Sequence, residues 1–68
     1  MSESYIALID RIIDLRKERG MTQSELAKAA HLAQPAIARL ECKTTVPQLN
    51  TLLRVLDALD QRLEVVPK

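Results

Sequence analysis

The sequence predicts an all-α domain of four or five short helices that ends in a single β-strand. Three observations carry that prediction. Apolar residues recur at helical spacing in several separate runs. Gly20 and the stretch Thr22-Gln23-Ser24-Glu25 punctuate those runs as helix ends and starts do. The last residues, RLEVVPK, alternate apolar Leu63 and Val65 with charged Arg62 and Glu64, which is the period of a strand. With no Phe, no Trp and one Tyr among 68 residues, the core has to be built from Leu, Ile, Val and Ala, a composition that suits packed helices.

The first helix is predicted from Ser4 to Arg19, where Tyr5, Ile6, Leu8, Ile9, Ile12, Ile13 and Leu15 follow a helical period and Gly20 closes the run. Its apolar arc covers roughly 180° of the helix wheel, where about 100° suffices to face one core. The surplus around Ile6, Ile9 and Ile13 predicts a second buried contact. Arg16 falls inside the arc, and because a guanidinium cannot shed its charge, burial there demands an acidic partner.

The second helix starts at Thr22, because TQSE fits a capping box: the Thr22 hydroxyl accepts from the Glu25 amide and the Glu25 carboxylate accepts from the Thr22 amide. It ends near Ala30, giving way to His31 and Leu32. The third helix runs from about Ala33 to Cys42, with Pro35 in its first turn, where a missing amide costs little. Ile37 and Leu40 share its inward face, Glu41 sits at the edge, and Pro35, Ala38 and Arg39 point away. Glu41 is therefore the predicted partner of Arg16. After the polar connection KTTVP, Pro47 suits the first position of a fourth helix that places Leu49, Leu52, Leu53, Leu56 and Leu59 inward, with Asn50, Arg54 and Asp57 outward, and ends near Asp60. Residues 1–68 thus read as one domain, with 1–60 helical and 61–67 a strand.

Charge and rare residues narrow the function. A net charge of +1 argues against a blanket polyanion-binding surface and leaves charge placement to decide. One cysteine, Cys42, and one histidine, His31, provide no internal disulfide, no metal-ligand set and no catalytic group. No cofactor site is predicted, and no enzyme. The sequence holds neither a long apolar span nor a signal-peptide pattern, so no membrane association is expected and the predicted location is the cytoplasm.

Two short helices joined by about three residues, the second with a plain outer face, make a helix-turn-helix, in which the second helix enters a DNA major groove. The stretch TQSELAKAAHLAQPAIARLE, preceded by LRKERGM, resembles the Cro/cI-type (XRE) repressor family over roughly residues 9 to 59. The resemblance implies a lambda-repressor-like bundle and a buried ion pair between Arg16 and Glu41, the pair that the wheel argument demands. It implies base-edge reading by Ala33, Gln34, Pro35 and Arg39, and phosphate contacts from Gln23, Ser24, Lys43, Thr44 and Thr45. Gln34 has the donors and acceptor to pair with adenine, Arg39 matches guanine, and Ala33 or Pro35 suits a thymine methyl. Three positions depart from the family pattern: His31 and Lys43 stand where glycine is frequent, and Ala33 where a Ser or Thr cap is frequent.

The tail narrows the resemblance further. DQRLEVVPK replaces the fifth helix common in the family and resembles HipB-like and HigA-like antitoxins of toxin-antitoxin operons. That implies a homodimer on a palindromic double-stranded DNA operator, a toxin protein as a further partner, and pairing of Arg62, Leu63, Glu64, Val65 and Val66 with their copies in a second chain. Antiparallel pairing also satisfies backbone groups that one strand leaves open. A register centred on Leu63 sets Arg62 opposite Glu64 of the partner subunit, whereas one centred on Glu64 opposes two carboxylates. A phage-type repressor or a restriction-modification controller, without a toxin, shares the same helix-turn-helix and stays open as the alternative.

Overall fold

Four helices, α1 (Glu3–Glu18), α2 (Gln23–Ala29), α3 (Gln34–Cys42) and α4 (Leu49–Ala58), make up the computed structural model, which describes residues 3–68. Met1 and Ser2, included in the predicted domain, lie outside the described residues. Their boundaries follow from local chemistry. At Gly20, φ is +67°, and the amides of Gly20 and Met21 bond the carbonyls of Lys17 and Arg16 at 2.9 and 3.0 Å. That is the paired bonding of a Schellman stop. α2 opens on Thr22, whose hydroxyl accepts from the Glu25 amide at 3.0 Å while Glu25 accepts from the Thr22 amide at 2.9 Å. The predicted capping box is complete.

α3 begins after an extended Ala33 that offers no side-chain cap, with Pro35 in its first turn. It stops at Lys43, in the left-handed region at φ 63°. α4 starts later than predicted. The Gln48 carbonyl accepts the first helical bond, from Leu52 at 3.1 Å, and Gln48 is extended. Gln48 is therefore the cap, and Pro47 lies just outside the helix. The helix ends through a second Schellman stop, with Asp60 at φ 57° and the Gln61 amide bonding the Leu56 carbonyl at 2.8 Å.

The core is aliphatic, built from Ile9 and Ile12 of α1, Leu26, Ala27 and Ala30 around α2, Ile37 and Leu40 of α3, and Val55, Leu56 and Leu59 at the end of α4. Buried alanines let backbones approach, and α2 packs most extensively on α3. Two expectations about faces are corrected here. Ile9, assigned to surplus arc, is fully buried, and Tyr5, Leu8, Ile13 and Leu15 pack against the same core, which leaves Ile6 as the exposed member of the arc. The arc is broad because the domain itself wraps it. On α4, Leu49 and Leu53 are exposed at 61% and 44%, while Val55, absent from the predicted face, is buried. The leucines of α4 spread over more of the helix than the core covers.

Residues 61–68 form no strand, and no strand occurs among the described residues. Every residue of this tail is exposed. The physical reason is direct: a strand exists through backbone bonds to a neighbour, and among the described residues none makes ladder bonds to residues 62–68. The Arg62 guanidinium meets the Glu64 carboxylate at 2.6 Å within the tail.

Candidate nucleic-acid interface

α2, the turn at His31 and α3 form the helix-turn-helix. The turn closes as the left-handed His31, φ 58°, lets the amides of His31 and Leu32 bond the carbonyls of Lys28 and Ala27 at 3.2 and 2.8 Å. Leu32 then packs against the core and leads into α3. Behind the turn lies the ion pair. Arg16 donates through Nε and Nη2 to the two Glu41 carboxylate oxygens at 2.7 and 3.0 Å, and through Nη1 to the Met21 carbonyl at 2.8 Å. The two side chains are 11% and 8% exposed. A bidentate pair of this geometry offsets the desolvation of both charges, whereas removing one partner strands the other.

The ion pair continues outward. Gln23 Nε2 donates to Glu41 Oε1 at 3.0 Å, and Gln34 Nε2 donates to Gln23 Oε1 at 2.9 Å. Gln23 and Gln34 are the first residues of α2 and α3. A chain of polar contacts therefore runs from a half-buried guanidinium to an exposed amide at the head of α3, tying the two helix starts together. Each link fixes the rotamer of the next. Gln34 retains one Nε2 hydrogen and its Oε1 oxygen beyond this chain, which is the donor-acceptor pair needed for an adenine edge. Helix periodicity does not reveal this relay, because its contacts cross between helices.

Ala33, Pro35 and Arg39 are exposed, and Arg39 lines a groove with Thr45, Gln48 and Thr51 between α3 and the start of α4. Ser24, Thr44 and Thr45 are exposed, and the Thr45 carbonyl accepts from the Tyr5 hydroxyl at 2.8 Å, which anchors the loop to α1. Lys43 differs from the others: its ammonium is paired with the Asp10 carboxylate of α1. At α2, bonds from the Thr22 backbone and then its hydroxyl hold the Glu25 carboxyl below the ordinary glutamate range.

Other chemistry has little material. Cys42 is exposed and unoxidised, and among the described residues no group of three or more His, Cys, Asp or Glu side chains is placed to hold a metal ion. No helix among them is long and apolar enough to cross a membrane.

A family described as helix-turn-helix matches residues 12–66. An uncharacterized HTH-type transcriptional regulator of Haemophilus influenzae is 42% identical over 66 residues, which cover 97% of this chain and 67% of that protein. Antitoxin HigA1 of Mycobacterium tuberculosis is 41% identical over 65 residues, covering 96% of this chain and 44% of the antitoxin. The chain thus spans less than half the length of that relative. A solved toxin-antitoxin module from Streptococcus pneumoniae superposes with a TM-score of 0.81 at 40% identity, covering 96% of this chain and 71% of the other.

Proposed function

The chain belongs to the helix-turn-helix family, and from that premise we propose that it is a sequence-specific DNA-binding transcriptional regulator, the antitoxin of a toxin-antitoxin pair. It binds a palindromic operator as a homodimer and sequesters a cognate toxin protein. It acts by binding and not by catalysis. The observation that carries the DNA reading is the relay Arg16–Glu41–Gln23–Gln34. A long amide side chain normally sheds rotamer entropy on binding; here that ordering is built in before DNA arrives.

In this reading α3 enters the major groove. Gln34 takes an adenine N7 and N6, Arg39 takes a guanine O6 and N7, and Ala33 and Pro35 pack on thymine methyls. Gln23, with one amide hydrogen left, and Ser24 hold a phosphate on one side of the groove, while Lys43, Thr44 and Thr45 hold another beyond α3. The tail supplies the second copy. The Arg62–Glu64 contact at 2.6 Å supports placing these two side chains on one face of such a strand, which leaves Leu63 and Val65 for the other face. Pairing of residues 62–66 with the same residues of a second chain would give the tail its missing backbone partners.

The antitoxin part is supported by the likeness to HigA1 and to the solved module, each near 40% identity across almost the whole of this chain. Selection from a random duplex library tests the DNA reading. The expected product is a two-fold site with half-site centres about 34 Å apart, one DNA turn. Gln34→Ala and Arg39→Ala should each weaken binding to it by about 5- to 150-fold, equivalent to roughly 1–3 kcal/mol per bidentate contact. Wild-type affinity in both variants would remove the groove-reading assignment. Co-expression with the reading frame beside its gene tests the toxin: a co-purified complex supports the antitoxin role, and its absence returns the chain to a regulator without a toxin.

A further inference from the structure

We propose that Asp10 is a resident counter-ion that competes with DNA phosphate for Lys43, and so sets both the strength and the salt dependence of DNA binding. The inference rests on the DNA-binding reading above and adds to it a residue outside the helix-turn-helix. Lys43 stands at the end of α3 in the left-handed region, at φ 63°. That backbone turns its side chain back to α1, where the ammonium meets Asp10 Oδ1. The two side chains are 33% and 53% exposed, so water and a phosphate can both reach the pair.

Phosphate binding draws its free energy from cations that displace condensed counter-ions from DNA. A lysine already neutralised by a carboxylate has little to contribute. To engage a phosphate, Lys43 must leave Asp10, and the freed carboxylate then sits as an anion beside the DNA backbone. Either way one positive charge of the interface is cancelled. Among the described residues no carboxylate forms an ion pair with Arg39 at the groove. On a chain with a net charge of only +1, one cancelled cation is a large share of the electrostatic attraction.

Binding of a random-sequence duplex of about 20 base pairs, measured across salt concentrations, tests this in the full chain. Asp10→Asn should steepen the slope of log affinity against log salt by about 0.9, the value for one extra phosphate neutralised, which corresponds to roughly eightfold tighter binding at about 0.1 M salt relative to 1 M. Asp14→Asn, one turn further along α1, makes the same charge change away from Lys43 and should give a distinctly smaller shift. In a Lys43→Gln background, Asp10→Asn should shift the slope no more than Asp14→Asn does. An unchanged slope in Asp10→Asn overturns the proposal, as does an equal effect in Asp14→Asn or a full-sized effect that survives Lys43→Gln. Helical circular dichroism confirms that each variant is folded. Failure of the wild-type chain to bind any duplex, even at low salt, would instead remove the DNA-binding reading, and this inference with it.

Discussion

Among the described residues three other than glycine hold left-handed backbone, His31, Lys43 and Asp60, with φ between 57° and 63°. Each terminates a helix, where the reversal is needed to satisfy the last carbonyls. For an L-residue that conformation costs about 1–2 kcal/mol, and glycine avoids the cost while adding about 0.4–1 kcal/mol of unfolded-state entropy. His31→Gly should therefore stabilise the domain by about 0.5–1 kcal/mol, since the imidazole makes no bond that the substitution would lose. A raised Tm by calorimetry is the expected result; an unchanged or lower Tm would show that the His31 side chain contributes more than its backbone strain. The family resemblance exposed His31 and Lys43, which stand where glycine is frequent; for Asp60 the sequence marked only the approximate end of the helix. It did not expose what Lys43 does with its charge, since the Asp10 contact joins residues on different helices.

Among the elements, α2 depends most on its ends. It has seven residues, too few for a helix to hold by propensity alone. Tertiary packing of Leu26 and Ala27 and the Thr22–Glu25 capping box supply the rest. The box also makes α2 sensitive to acid. Bonds to Thr22 depress the Glu25 pKa in the folded chain, so the stabilisation by ionised Glu25 is present above the unfolded glutamate pKa and is lost as pH falls through the folded value. The Tm gap between wild type and Glu25→Ala should be open at neutral pH and narrow as pH falls from about 5 to about 3. A gap that stays constant over that range would show that the carboxylate's charge is irrelevant to the cap. Such caps are legible in sequence because they are local. The inward edge of α4 was not: periodicity groups Leu49 and Leu53 with Leu56, but only the neighbouring helices decide how wide a stripe they cover.

At the scale of the whole molecule, a core of this size supplies only about 3–5 kcal/mol of stability, and several large apolar side chains remain outside it. Leu63, Val65 and Val66 are among them, all in the tail. Sequence alternation can announce that a segment suits a strand, but no single chain can complete one whose neighbour is a second copy. RLEVVPK reads as a strand by its alternation alone, and in the single chain it is unpaired. The tail leaves the domain at a fixed point. Asp60 accepts from Arg19 at 3.0 Å, and the Gln61 amide closes the α4 stop, so deletion after Gln61 removes the tail and preserves the helix end. If the proposed tail pairing holds, the 68-residue chain should sediment as a dimer, and a chain of residues 1–61 should keep its helical circular dichroism and sediment as a monomer at the same concentration. A dimer of unchanged affinity would eliminate tail pairing. Charge exchange then separates the two registers. If Leu63 marks the two-fold axis, Arg62 faces Glu64 of the partner subunit, so Arg62→Glu and Glu64→Arg should each weaken the dimer, and the double variant should restore it because every cross-strand pair is again of opposite sign. Under a register centred on Glu64, Glu64 faces its own copy and Arg62 faces Val66, so the exchange swaps one like-charge pair for another and the pattern of loss in the single variants and recovery in the double is absent.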